Sequence, residues 1–258
     1  MRGKSPYDDL AEYYDLFNDE VPDDIPFYLR FVSPKDNVLE VGVGTGRVIF
    51  ALAEAVKGAT FVGIDNSFAM LRIARNKARM RGVGNHVRLR GMDMRNLKFS
   101  GRYNLVLVPF LGFQFLMTPE DQLKTLTGIW QCLRDGGRCI VHLFHPDPNL
   151  IAMRGWSEEL RQTAFDTVKQ RSVYWLTRSR KDRIRQTIFY EVIYRYDYPQ
   201  NHKGELRSKQ EMRYLFRYEM EHLAARAGFL TEAVLGTFSG KRLTTDCKDM
   251  IFVLRKKG

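Results

Sequence analysis

Residues 38–46 read VLEVGVGTG, an apolar run that breaks into three glycines spaced two apart, with a carboxylate, Glu40, inside the run. Glycine lacks a Cβ, so a turn built from Gly42, Gly44 and Gly46 lets main chain come within contact of a ligand. Dinucleotide-binding folds use such a turn, with the spacing G-x-G-x-x-G, to bring a pyrophosphate onto a helix N-terminus. Here the spacing is G-x-G-x-G, and Arg47 stands where that pattern has its third glycine. A pyrophosphate would also meet Glu40, a like charge, whereas a ligand with a cationic or amine-bearing end would not.

The segments that follow repeat this grammar. FVGID, residues 61–65, is an apolar run ending in Asp65, with Asn66 beside it; at that distance an acid suits a second parallel strand tip gripping ribose hydroxyls. VRLRGMDM, residues 87–94, gives a third strand followed by Asp93 between two methionines, a fitting cradle for an adenine: the acid accepts from the amino group while the Met94 thioether packs the ring. Further strands are expected at 103–108 and 138–144, with helices at 47–56, from Asn66 or Ser67 onward, and from the Thr118-Pro119-Glu120-Asp121 start to about 133. Alternation of this kind predicts an α/β fold with a mostly parallel sheet covered by helices on both faces. Two short helices, at 7–17 and 26–32, precede it.

Three acids at successive strand ends, with the glycine turn, resemble the class I S-adenosylmethionine-dependent methyltransferases over about residues 7–143 and again over the last forty. The resemblance implies a Rossmann-like seven-stranded sheet whose last strand is antiparallel, with S-adenosylmethionine as cofactor and no metal. It places the methionyl part at Gly42, Gly44 and Gly46 with its amino group at Glu40, the ribose at Asp65 and Asn66, and the adenine at Asp93 and Met94. Tyr14, in AEYYDLF, matches a tyrosine that folds over the cofactor in glycine and sugar N-methyltransferases, where an aromatic face beside a sulfonium gains cation–π energy. An arginine that holds the cofactor carboxylate in the glycine enzyme has no match, since Asp24 falls there; Arg30 and Arg47 are the substitutes at hand.

The loop after the fourth strand reads Val108-Pro109-Phe110-Leu111-Gly112. It lacks the Asn/Asp-Pro-Pro-aromatic motif of base-amine methyltransferases, the cysteine of cytosine C5 enzymes and the carboxylates of metal-dependent catechol enzymes. What remains resembles the small-molecule branch, with Pro109 at the cofactor edge. Gln114 and His145, which follow the fourth and fifth strands, are the candidate acid–base residues, because ligands meet such sheets at the carboxyl ends of the strands. His142, mid-strand, reads as buried.

After His145 the pattern changes. A breaker cluster, Pro146-Asp147-Pro148-Asn149, opens an insertion over 146–213 with two strand-like runs, 172–179 and 184–197, turning at Lys181-Asp182. The single catalytic domain is thus expected to have its core at 35–145 and 215–256, N-terminal helices within 1–32 over the cofactor, and a β-rich lid. The lid aromatics Tyr190, Tyr194, Tyr196 and Tyr198 share one parity, Phe189 and Ile193 the other, leaving the inward face open. Net charge is +11, and residues 154–217 hold fifteen Lys and Arg against eight Asp and Glu. Such a bias attracts acidic partners, or simply pairs with the acidic N-terminus or a second subunit. Transfer to a nitrogen or oxygen of a small molecule is preferred to RNA or protein, and a non-catalytic cofactor-binding module is the remaining alternative. The insertion also offers a homodimer interface. Three unpaired-looking cysteines and the lack of an 18-residue apolar run lead us to expect a reduced, cytoplasmic chain with no membrane contact.

Overall fold

The computed structural model describes residues 5–18, 24–197 and 203–257, without the side chain of Leu150. Seven strands form the central sheet: β1 (Asn37–Val41), β2 (Thr60–Asp65), β3 (Val87–Gly91), β4 (Tyr103–Val108), β5 (Leu133–Phe144), β10 (Phe229–Leu235) and β11 (Asp249–Lys256). Their order is β10-β11-β5-β4-β1-β2-β3, and β11 alone runs antiparallel to its neighbours. The register Val38↔Leu105 and Leu39↔Val106 sends alternate residues to opposite faces. Val38, Phe61, Leu105 and Ile140 join one core with helices α2 (Asp24–Leu29), α3 (Arg47–Ala55) and α4 (Phe68–Met80). Leu39, Ile64, Val106 and Val141 join the other, with α5 (Pro119–Cys132) and α7 (Arg217–Arg226). Each strand is apolar on both faces because each face is roofed by helices.

The predicted caps form. The Ser67 hydroxyl accepts from the Met70 N–H at 3.1 Å, and the Thr118 hydroxyl accepts from the Asp121 N–H at 3.1 Å ahead of Pro119. Fixing those two helix starts fixes where β2 and β4 end and their ligand-edge loops begin.

The insertion is antiparallel β as expected, but with four strands where two were read. It is a four-stranded antiparallel sheet in the order β6-β7-β8-β9, built from β6 (Ser157–Asp166), β7 (Arg171–Asp182), β8 (Thr187–Asp197) and β9 (Lys203–Arg213), preceded by the short helix α6 (Pro148–Ala152). The outer strands were not read as strands because both are edges: SEELRQTAFD and KGELRSKQEMR carry the polar, charged pattern that keeps an edge from pairing further. The turn lies at 183–186, beyond Lys181-Asp182, and β5 starts at Leu133, five residues before the expected position. Tyr198 falls outside the described residues.

Parity on β8 is now clear. Val192 and Tyr194 are buried against Leu10, Tyr13 and Phe17 of the first helix, α1 (Ala11–Asn18), together with half-buried Tyr190 and Tyr196. Ile188 and Met212 pack with Leu111 and Phe144, at the carboxyl ends of β4 and β5. The small sheet therefore lies over the ligand edge of the large one, and α1 is held beneath it.

Candidate active site

At the tip of β1 the chain turns on three left-handed glycines, with φ of +77° at Gly42, +53° at Gly44 and +92° at Gly46. A Cβ at Gly46 would lie 2.1 Å from the Phe50 ring, so that glycine is required by packing. At Gly42 and Gly44 a Cβ would meet nothing within 4 Å, which is open space for a ligand rather than for a side chain. Asp65 closes the turn from the neighbouring strand: its Oδ2 accepts from the Gly44 N–H and its Oδ1 from the Ser67 N–H, both at 2.8 Å. Burial raises its pKa, opposed by those backbone bonds. The Asn66 N–H also bonds this carboxylate, so the acid is fixed at the strand tip by main chain from both sides. Asn66 is exposed, its Oδ1 accepting from the Ser5 hydroxyl at 3.4 Å.

Glu40 is 2 % exposed, and its Oε2 has no hydrogen-bond partner among the described residues. Burial pushes its pKa well up; Arg47 from α3 opposes the shift, while Asp24 from α2 and Asp65 from β2 reinforce it. The buried Tyr28 hydroxyl, also without a partner, shares this surrounding. A buried carboxyl bonded by the Ile49 N–H but with one oxygen unpartnered, beside open glycine backbone, suits an incoming ammonium.

A pH dependence follows, with its sign fixed. Glu40 titrates near 4.5 when unfolded and well above that in the ligand-free fold, so the folded state holds the proton more tightly. Its contribution to stability is fully present below pH 4.5 and is lost as pH rises through the raised folded value. Glu40→Gln should remove that decline, so ligand-free unfolding curves at neutral pH shift to higher temperature while affinity for S-adenosylhomocysteine falls. A variant equally pH-sensitive and equally tight for the ligand would contradict the assignment.

Other expectations meet a different arrangement. Arg47 does not present its guanidinium to the cleft: it grips Asp24, Nη1 to Oδ1 at 2.9 Å and Nη2 to Oδ2 at 2.5 Å, with Asp24 only 1 % exposed. Arg30 sits over the Phe27 ring at 4.7 Å and donates to the Phe238 carbonyl at 3.5 Å. Neither is free to take a cofactor carboxylate. Asp93 is bidentate with Arg95, at 3.0 and 2.6 Å, and accepts from the Arg95 N–H, so an adenine amino group would share an occupied acid. Met94 packs at the edge of the core.

Gln114 is fully buried, its Oε1 accepting from the Phe144 N–H at 2.9 Å and its Nε2 donating to the Arg213 carbonyl at 3.5 Å. It ties β5 to β9, a scaffold role that takes it out of acid–base work. His145 bonds through Nδ1 to the Cys247 carbonyl at 3.0 Å, and His142 through Nε2 to Asp249 at 2.9 Å. Pro109 is buried at the end of β4, and the two residues after it, Phe110 and Leu111, hold φ of +48° and +64°. Two consecutive non-glycine residues in that region are strained, and strain of this kind collects at ligand edges.

The N-terminal segment, by contrast, is brought onto the site. Asp8 accepts from the Ser67 hydroxyl at 2.6 Å and from the Ala69 N–H at 3.2 Å, capping α4 just beyond Asp65. Asp15 accepts from the Thr45 hydroxyl at 2.5 Å and pairs with Lys77 at 3.0 Å. Tyr7 meets the Tyr14 ring edge-on at 5.9 Å and the Phe115 ring at 5.6 Å. Since β1 lies between β2 and β4, a segment anchored to Ser67 and Phe115 crosses above the glycine turn. Tyr7 and Tyr190 were missed as site residues in the sequence because their roles depend on contacts more than a hundred residues apart.

An acid-backed glycine turn, an aspartate at the tip of the next strand and a sheet ending in an antiparallel strand are the arrangement of the class I S-adenosylmethionine-dependent methyltransferases, and part of the chain matches a methyltransferase domain. A methyltransferase-domain family model matches residues 38–137. The cypemycin N-terminal methyltransferase of a Streptomyces species is 27% identical over 262 residues, covering all of both chains. A demethylmenaquinone methyltransferase from Thermus thermophilus is 34% identical over 151 residues, 55% of this chain and 66% of that one. The solved CcbJ methyltransferase from Streptomyces caelestis superposes with a TM-score of 0.82 over the whole of both chains at 24% identity. Against the first four curated relatives it matches, the chain spans 56 to 66% of their length. Among the described residues no cluster of His, Cys, Asp and Glu could hold a metal, and no helix is long and apolar enough to cross a membrane.

Proposed function

We propose that this chain transfers the methyl group of S-adenosylmethionine to the nitrogen of a small amine held between the glycine turn and the inner face of the four-stranded sheet. The bound cofactor supplies an electrophilic methyl on a sulfonium. The protein's part is to align the two reactants and exclude water. Glu40 takes the cofactor ammonium, the Gly42–Gly44 backbone admits its chain, Asp65 takes the ribose hydroxyls, and Tyr14 lends an aromatic face to the positive charge.

The observation that carries the choice of nitrogen is the lining of that space. Tyr7, Tyr14, Tyr190 and Tyr194 surround it, and burial raises the pKa of every one, so all are neutral phenols near pH 7. The carboxylates around them are engaged: Asp65 with the Gly44 and Ser67 N–H groups, Asp8 with Ser67 and Ala69, Asp15 with Thr45 and Lys77. An alcohol needs a strong base to attack; an amine sheds its proton to water and attacks as the neutral form. The similar cypemycin enzyme, an N-terminal methyltransferase, is in keeping with a nitrogen acceptor. Incubation with methyl-labelled cofactor and a panel of amino sugars, amino acids and short peptides with free amino termini should label amines and leave their deaminated alcohol counterparts unlabelled. Labelling of the alcohols alone would reverse the assignment.

A further inference from the structure

Two tyrosines and one glutamine converge on the chamber from distant parts of the chain. Tyr190 and Gln210 face each other across β8 and β9, and the Tyr190 hydroxyl donates to Gln210 Oε1 at 2.5 Å. The Tyr7 and Tyr190 hydroxyls are hydrogen-bonded to each other, and since the one Tyr190 proton goes to Gln210, Tyr7 is the donor. The segment carrying Tyr7 is pinned to the same strand by the Ser208 hydroxyl, which donates to the Pro6 carbonyl at 2.7 Å. The hydrogen bonds therefore run one way, from Tyr7 through Tyr190 to Gln210. At one end the Tyr7 oxygen keeps its lone pairs. At the other, Gln210 is 3 % exposed, and its Nε2 has no partner among the described residues. A buried amide N–H left without a partner is unfavourable, and a ligand oxygen would satisfy it.

We propose that this line receives the methyl acceptor: the Tyr7 oxygen accepts an N–H of the attacking amine, and the Gln210 amide donates to an oxygen of the same molecule. The inference rests on the N-methylation reading and narrows it, to a small amine that also carries a hydroxyl, ether or carbonyl oxygen. Accepting one N–H at Tyr7 turns the nitrogen lone pair away from the tyrosine and toward the methyl. Transfer forms the N–C bond and breaks the S–C bond, and the ammonium produced gives its proton to water. Tyr190 acts through the other two and is a positioning residue.

Sinefungin, in which an amine-bearing carbon replaces the methyl sulfonium, probes the Tyr7 end without a known acceptor. In titration calorimetry wild type should bind it more tightly than S-adenosylhomocysteine. Tyr7→Phe and Tyr190→Phe should cut that advantage by about three- to tenfold while leaving affinity for S-adenosylhomocysteine within about twofold. A role in packing alone would weaken both ligands together, and an unchanged ratio overturns the amine end.

For the Gln210 end, protein labelled with 15N-glutamine and saturated with S-adenosylhomocysteine is titrated with D-glucosamine, threonine amide and aminoethanol, and separately with cyclohexylamine. The Gln210 side-chain signal, identified by its loss in Gln210→Leu, should shift with an oxygen-bearing amine and stay in place with cyclohexylamine. No shift with any of them, or an equal shift with cyclohexylamine, overturns it. Failure of wild type to bind S-adenosylhomocysteine at all would strike the underlying methyltransferase reading instead, and is read separately.

Discussion

Asp65→Ala should weaken binding of S-adenosylhomocysteine by at least about tenfold, more than any single substitution in the four-stranded sheet. Two effects add. The carboxylate offers charge-assisted bonds to ribose hydroxyls, each worth about 1.5–3 kcal/mol. It also holds the glycine turn, through the Gly44 N–H, and the start of α4, through the Ser67 N–H, so its removal loosens the very backbone the ligand approaches. Asp65→Asn retains one acceptor oxygen and should fall between the two. Calorimetry on all three forms decides it: an alanine variant as tight as wild type would leave Asp65 a backbone cap and nothing more.

Arg47→Met should be the most destabilising single change near the site, by about 3–5 kcal/mol, because it strands a buried carboxylate. Asp24 is 1 % exposed and both its oxygens bond Arg47. For a chain of this size the loss corresponds to a fall in Tm of about 6–15 °C. Asp24→Asn combined with Arg47→Met should recover most of it, since the amide leaves no uncompensated charge. If the double variant melts as low as the single one, the cost lies in Arg47's packing on the Phe110 ring rather than in the pair.

The large sheet was legible because its signals are local. Alternation of apolar runs with Ser67- and Thr118-capped helices set the strands, and β4 falls on the expected 103–108. The glycine turn was legible because its conformation demands glycine at Gly46. Long-range partnerships were not. Nothing local says that Arg47 will close on Asp24, twenty-three residues earlier, or that Gln114 will spend both ends of its amide on Phe144 and Arg213. The edge strands β6 and β9 escaped notice for a related reason: an edge is written to discourage pairing, so its pattern looks like loop. The inward parity of β8 needed a partner to define it, and α1 supplied that partner through Leu10, Tyr13 and Phe17.

No strand is shared between the two sheets. Apart from Tyr14 on α1, the residues that would hold the cofactor sit on β1 and β2 and the loops beyond them; those proposed to meet the acceptor come from β8, β9 and the segment before α1. A substitution at Tyr190 or Gln210 thus falls on side chains that make no hydrogen bond to the turn from Gly42 to Gly46, the two being joined only through the segment around Pro6 to Asp8. Lineages built on this plan can change what they methylate by altering the inner face of the small sheet, one residue at a time, and never pass through a form that has lost its grip on the methyl donor.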